Sequence, residues 1–315
     1  MAKDVYESSS AARKVFDEAE DALQMDLRRH IFNGPQEALT MTEVAQPAIL
    51  TTSIALLRAL EAEKGVSLKD LASVALGHSL GEYTALVATG ALPLAKAVCL
   101  VRLRGLAMTE AVSHFSFPTS MSALMVRKRR LDSLIELIQS LPQADDPAMI
   151  AEIANINSSF QLVLSGGAQG VDHISKLVQD KGLAARAVDL PVSAPFHCSL
   201  MAPAAERLMP YLKKAPWSNP TLPVISNVTS APILEAKAIP RLLHQQVTAP
   251  VRWYESITYC VKTLGVNEWI AIGPGRVLAN LARKERPLTR VKPVGSWSDI
   301  QSFRWRGAHS LTAGL

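Results

Sequence analysis

The sequence predicts an α/β fold, a parallel-sheet core interrupted by a smaller unit, and three observations carry that prediction. The apolar run Leu71 to Leu76 meets Gly77-His78-Ser79-Leu80-Gly81 and passes directly into a helical pattern through Leu86 and Val87. A second run, Glu268 to Ile272, meets Gly273-Pro274-Gly275 before a helix from Val277. Between them, residues 122–190 follow the order strand, helix, strand, strand, helix, strand, which is that of a ferredoxin-like split βαβ unit. The organisation expected is a large domain of 1–121 and 191–292, an inserted subdomain of 122–190, and a tail of 293–315.

Composition bounds the function. The 315 residues are 48% hydrophobic with few aromatics, enough for a large aliphatic core. The net charge of +5 is modest and the basic residues are not interleaved with aromatics, which argues against nucleic-acid binding. Cys99, Cys198 and Cys260 are widely spaced and odd in number, so neither a disulfide framework nor a metal site is implied. No apolar run reaches the length of a membrane span.

In chain order, Ser8 to Arg28 carries Val15, Phe16, Ala19 and Leu23 on one helical face and reads as a surface helix. Its Asp17, Glu18, Glu20 and Asp21 are unlike an organelle presequence. Pro47 suits the first turn of an apolar helix over 48–62. Ser67 to Asp70 opens a short helix or turn, and Leu71 to Leu76 reads as a central parallel strand. The helix after Ser79 ends at Gly90. The next, over 94–112, turns Leu94, Ala97, Val98, Val101, Met108 and Val112 inward with Arg104 among them, and Arg102 outward. An inward guanidinium is costly unpaired, so a carboxylate partner for Arg104 is expected in the protein or in a ligand.

The inserted unit follows, with Arg127-Lys128-Arg129-Arg130 as a solvated turn. The large domain resumes at Pro195-Phe196-His197 with a helix over 201–212, a strand over 223–226, a turn opened by Asn227, and a helix over 239–246. A further helix runs to Leu264. The tail beyond Pro293 lacks a clear period and is expected to pack loosely.

The chemistry-bearing stretch is the Gly-x-Ser-x-Gly turn. A strand, tight turn and helix in that order make a nucleophile elbow, with no side-chain room expected at Gly77 and Gly81 and the Ser79 hydroxyl pushed out at the helix N-terminus. The amide of Leu80 then points to where an oxyanion forms.

Taken together the motifs resemble the malonyl-CoA:acyl carrier protein transacylases. They are Gln46-Pro47-Ala48, Gly77-His78-Ser79-Leu80-Gly81-Glu82-Tyr83, Arg104-Gly105, Asn155-Ile156-Asn157-Ser158, Pro195-Phe196-His197, Gln246 with Pro250-Val251-Arg252-Trp253, and Gly273-Pro274-Gly275. The resemblance implies an α/β-hydrolase-like core and an acyltransferase with Ser79 as nucleophile and His197 as base. It also implies a Gln246 backbone carbonyl orienting the imidazole and an Arg104 clamp on the malonyl carboxylate. Gln46, Asn157, His78 and Phe196 fall at substrate-pocket positions, the last two in a malonyl-selective pattern. The partners implied are a coenzyme A thioester and an acidic acyl carrier protein, with no cofactor, no nucleic acid and no membrane, and a monomer is expected. The compartment would be the mitochondrion in a eukaryote with a dissociated pathway and the cytoplasm in a bacterium.

One departure stands out. Family members open with an apolar strand and a Gly-Gln-Gly loop that supplies a second oxyanion N–H, whereas Met1 here precedes the following helix almost at once. Exposed edges on the neighbouring strands and a weakened oxyanion site are the expectation. A start lying upstream, a replacement strand, or a paralogue that binds carrier without catalysing would each account for it, and the intact downstream positions favour the first. A serine hydrolase is the remaining rival. It needs an acid between Ser79 and His197 in the chain, for which Asp189 is the nearest candidate and reads as structural.

Overall fold

The stripe on the N-terminal segment is buried, with Ala12, Val15, Phe16 and Ala19 at 6% exposure or less. It belongs to a computed structural model that describes residues 1–142 and 144–305. The segment is three helices rather than one, Lys3–Ser8, Ser10–Leu23 and Leu27–Asn33. Ser9 breaks it by capping the second helix, its side chain accepting from Ala12 N at 3.3 Å, and Gln24 ends that helix in the left-handed region at φ 49°.

The core is helical around small pieces of sheet. The long helix Thr42–Lys64 packs between the segment Ser10–Leu23 and the helix Leu94–Ser113. It starts a turn before Pro47, against the sequence expectation, because the Val44 and Ala45 amides donate to Met41 O at 2.9 and 2.8 Å and close the first turn ahead of the ring. At Gly105 an added Cβ would lie 2.5 Å from Glu43 Cα, so the two helices touch backbone to backbone there. That close approach sets Arg104 beside Gln46.

Among the described residues nine strands form three sheets: β1 (Ala75–Leu76), β2 (Thr119–Val126), β3 (Ala151–Ser158), β4 (Gln161–Gly167), β5 (Ala184–Asp189), β6 (Val224–Ile225), β7 (Pro232–Ile233), β8 (Glu268–Ile272) and β9 (Arg290–Val294). The inserted sheet has the order β3-β4-β2-β5, all antiparallel, with the helices Leu131–Ser140 and Ala168–Asp180 packed on it. This is the ferredoxin-like arrangement expected.

The core sheet is more fragmentary than expected. The run Leu71 to Leu76 contributes a strand of only two residues, because Leu68–Leu71 is a helical turn closed by a Ser67 and Asp70 capping box. β1 pairs in parallel with β6, β6 antiparallel with β7, and β8 in parallel with β9. Between β1 and β8 lies a cleft of about 1250 Å³, walled by Leu57, Leu76, Ile257, Ile270 and Ile272. The edges of β1 and β8 that face it carry no further strand among the described residues.

The segment from Pro293 is not loose. Val294 completes β9, the helix Trp297–Ser302 follows, and Val294 and Ile300 are fully buried in the main core. The helix is capped by Ser296, whose Oγ accepts from Asp299 N at 3.2 Å. Residues 306–315 of the tail lie outside the described residues. No helix among the described residues is long and apolar enough to cross a membrane.

Candidate active site

β1 ends at Leu76, the chain reverses through Gly77 and His78, and the helix Leu80–Ala88 begins immediately after Ser79. Gly77 is obligatory: a Cβ there would come within 2.0 Å of the Gly81 carbonyl. Gly81, expected to be equally tight, would meet nothing with a Cβ, because its free side faces the cleft between β1 and β8. The turn forces Ser79 to φ 52°, a costly conformation for a residue with a side chain. Its hydroxyl thereby stands clear of the backbone, and the Leu80 N–H, first of its helix, has no intrahelical acceptor.

His197, also at positive φ (62°), meets Ser79 from the loop between β5 and the helix Ala202–Lys214. Its Nε2 lies 2.7 Å from Ser79 Oγ and its Nδ1 lies 2.8 Å from the carbonyl oxygen of Gln246, the last residue of the helix Ile239–Gln246. A carbonyl can only accept, so Nδ1 carries the proton and Nε2 is free to take one from Ser79. Burial, then the nearby Arg104 and His78, pushes the imidazole down to about 3, so it is neutral at neutral pH and its Nε2 lone pair is free to accept.

Arg104 is 3% exposed, as its inward angle required. Its Nη1 donates to Gln46 Oε1 at 2.8 Å, and its Nη2 donates to Ser79 Oγ and Gln246 Oε1, both at 3.2 Å. The Tyr83 ring lies 5.6 Å from the guanidinium carbon. Burial holds the guanidinium below its ordinary pKa. The protein's own partners for it are neutral amide and hydroxyl oxygens and not a carboxylate, which leaves the ligand as the expected source, and its Nε has no partner among the described residues.

The remaining predicted residues fall into two groups. Gln46 completes the arginine's shell, its own Nε2 donating to Thr42 Oγ1 at 3.0 Å. His78 Nε2 pairs with Asn157 Oδ1 at 3.0 Å, and Asn157 in turn donates to Gln161 Oε1, so β3 and β4 of the inserted sheet fix the ring beside the elbow. Phe196 packs where the inserted sheet meets the main core and makes no polar contact with the site.

Two residues escaped the sequence reading as site members. Glu82, fully buried, accepts through Oε2 from Gln246 Nε2 at 2.6 Å. Asn227 accepts from the Ser79 amide at 2.6 Å and donates to Gly77 O at 2.8 Å. An acid on the inward face of a short apolar helix was a readable signal for Glu82. Asn227 offered none beyond opening a turn.

Comparison with known proteins matches the chain to acyl transferases. The acyl transferase domain pattern matches residues 1–278. The malonyl CoA-acyl carrier protein transacylase of Bacillus subtilis (strain 168) is 42% identical over 284 residues, 90% of this chain and 85% of its own. The solved structure of the Coxiella burnetii malonyl CoA-acyl carrier protein transacylase superposes with a TM-score of 0.84 at 35% identity, over 95% of this chain and 90% of that one. A malonyl-transacylase solved in complex with its type II polyketide acyl carrier protein superposes with a TM-score of 0.85 at 33% identity, over 95% and 92%.

Proposed function

The chain belongs to the acyl transferase domain family, with the malonyl-CoA:acyl carrier protein transacylases as its relatives, and from that premise we propose that it moves a malonyl group from coenzyme A to an acyl carrier protein for fatty acid synthesis. Ser79 Oγ attacks the thioester carbonyl while His197 Nε2 takes its proton. The oxyanion forms against the Leu80 N–H. Its collapse breaks the C–S bond, and the proton on Nε2 goes to the departing coenzyme A thiolate. The malonyl-serine ester is then attacked by the phosphopantetheine thiol of the carrier, with His197 taking that proton and returning it to Ser79. Gln246 O stabilises the imidazolium in both halves by holding Nδ1–H.

The observation that carries the substrate reading is Arg104. A buried guanidinium 3.2 Å from the nucleophile, bonded to no carboxylate among the described residues, has donors to offer one. A malonyl carboxylate would take over the bonds now made to Ser79, Gln46 and Gln246. An acetyl group would leave them unanswered, which is how a site of this kind discriminates. A hydrolase has no use for such a clamp, and no acid bonds to His197 among the described residues, which disfavours the rival triad. His78, held by Asn157, and Phe196 border the pocket in this reading and restrict it to malonyl over methylmalonyl.

Intact-mass measurement after incubation with malonyl-CoA or methylmalonyl-CoA, without carrier, tests this. A malonyl adduct on the parent and none on Ser79→Ala is expected, with methylmalonyl adding at least about tenfold more slowly. A folded parent that binds carrier but takes no adduct would make it a carrier-binding protein instead. Equal rates for the two thioesters would remove the selectivity assigned to His78 and Phe196.

A further inference from the structure

Behind Ser79 and His197 lies a closed hydrogen-bonded ring that the acyl transfer steps do not use. Asn227, just beyond β6, grips both sides of the elbow through its side chain, at Ser79 N and at Gly77 O. Its own N–H donates to Glu82 Oε2 at 3.2 Å. The same oxygen accepts from Gln246 Nε2, which also donates to Ser79 O at 3.1 Å. Gln246 O then holds His197. From the Asn227 and Glu82 pair, one set of bonds reaches the nucleophile and the other reaches the base.

The need for such a ring follows from the backbone. Ser79 and His197 both sit at positive φ, in conformations that persist only where their surroundings hold them. They come from segments 118 residues apart in the chain, and only 2.7 Å separates the reacting atoms. Glu82 is itself costly, a carboxyl with no exposure whose Oε1 has no partner among the described residues. Burial pushes it up to about 7 despite the bonds from Gln246 and Asn227. A leucine or methionine would fill the same place on the helix without that cost, but would leave unpaired the Asn227 N–H and the Gln246 Nε2 donor now given to Glu82.

We infer that Glu82 and Asn227 are positioning residues for the acyl transfer, fixing the Ser79 elbow and the Gln246 carbonyl in one frame so that Oγ and Nε2 stay aligned. The inference rests on the acyltransferase reading above, and its test separates the two. Rates of Ser79 acylation by malonyl-CoA and of Ser79 phosphonylation by a fluorophosphonate are measured in the full chain for the parent, Glu82→Ala, Glu82→Gln and Asn227→Ala. Each is normalised to the folded fraction read from thermal unfolding.

Both alanine variants are expected to lose about 30- to 100-fold in limiting rate in both reactions, with KM changed less than about threefold. Glu82→Gln keeps an oxygen for both donors and is expected within about fivefold of the parent. Limiting rates within about twofold of the parent in the alanine variants would overturn the inference, as would a Glu82→Gln as slow as Glu82→Ala. Should the alanine variants fail to fold, Asn227→Asp decides. It keeps the acceptor for Ser79 N but turns an oxygen toward Gly77 O, so the same loss is expected and a parental rate overturns the idea. A parent that reacts with the fluorophosphonate and not with malonyl-CoA refutes the malonyl reading alone, and the positioning inference is then judged on phosphonylation.

Discussion

The inserted sheet and the core strands are both apolar, yet among the described residues the first is one sheet of four strands and the second is two small sheets with a cleft between them. In the insert, β2 and β4 pair over seven residues, and each of the two has a neighbour on both edges. In the core, β1 has two paired residues and, among the described residues, β8 has β9 on one side only, with the cleft between β1 and β8. The nucleophile elbow rises from the open sheet, while the residues that fix His78 come from the closed one. β1 and β6 join segments some 150 residues apart through two paired residues, and just beyond them Asn227 adds a side-chain tie to Gly77 O.

Amide hydrogen exchange would break this comparison most directly. Ala75 N donates to Pro223 O, so Leu76, one residue on, turns its N–H away from β6 and into the cleft. Arg290 N donates to Asn267 O and Gly273 N to Val294 O, so Ile270 and Ile272 likewise turn away from β9. Their amides are expected to exchange at least about 10³-fold faster than those of Leu162 and Val163 in β4. Comparable protection in both sheets would mean that the cleft is filled in solution and that the open edge is not a property of the protein there.

Packing should show the same contrast at a smaller scale. Leu134 is fully buried in the insert's core, while Leu57 is 2% exposed, lies outside the main packed cluster and lines the cleft. Leu134→Ala is expected to cost about 2–5 kcal/mol, as truncations in close-packed cores do. Leu57→Ala should cost only about 1–2 kcal/mol, because the lost atoms leave contacts on one side alone. Urea unfolding measures both, and an equal cost at the two positions would show the cleft wall to be as tightly packed as the insert.

What was legible in the sequence divides along the same line. The insert's order and most of its boundaries follow from local periodicity, since the four strands of its sheet pair with one another within residues 119–189, and only the bridge from Asn155 to Val251 among the described residues reaches outside. Arg104 was legible by its angle on a helix, and Ser79 by its turn, because 3.6-residue geometry and glycine sterics act within a few residues. The shortness of β1 was not, since a capping box at Ser67 and Asp70 outweighed an apolar run that reads equally well as a strand. Pro47 misled in the same way, because the carbonyl that starts its helix belongs to Met41, one turn upstream. Asn227 lies 148 residues from the serine amide it holds, and nothing local marks it.

The smallest effect is one of pH, and it comes from the ties that hold the open sheet together. The folded protein keeps a proton on Glu82 up to about pH 7, while the unfolded chain releases it near 4.5. The stability Glu82 leaves intact below pH 4.5 is therefore lost as pH rises through 7. His197 acts the other way: at about 3 in the folded state against 6.5 unfolded, it takes a proton on unfolding and lowers stability as pH falls below 6.5. Glu82→Gln removes the first effect and leaves the second. Relative to the parent, the variant should gain on the order of 2–4 °C in Tm between pH 5 and pH 8. Scanning calorimetry across that range would read it, and a difference that does not change with pH would show that Glu82 is charged throughout, paired more strongly with Gln246 and Arg104 than its burial allows.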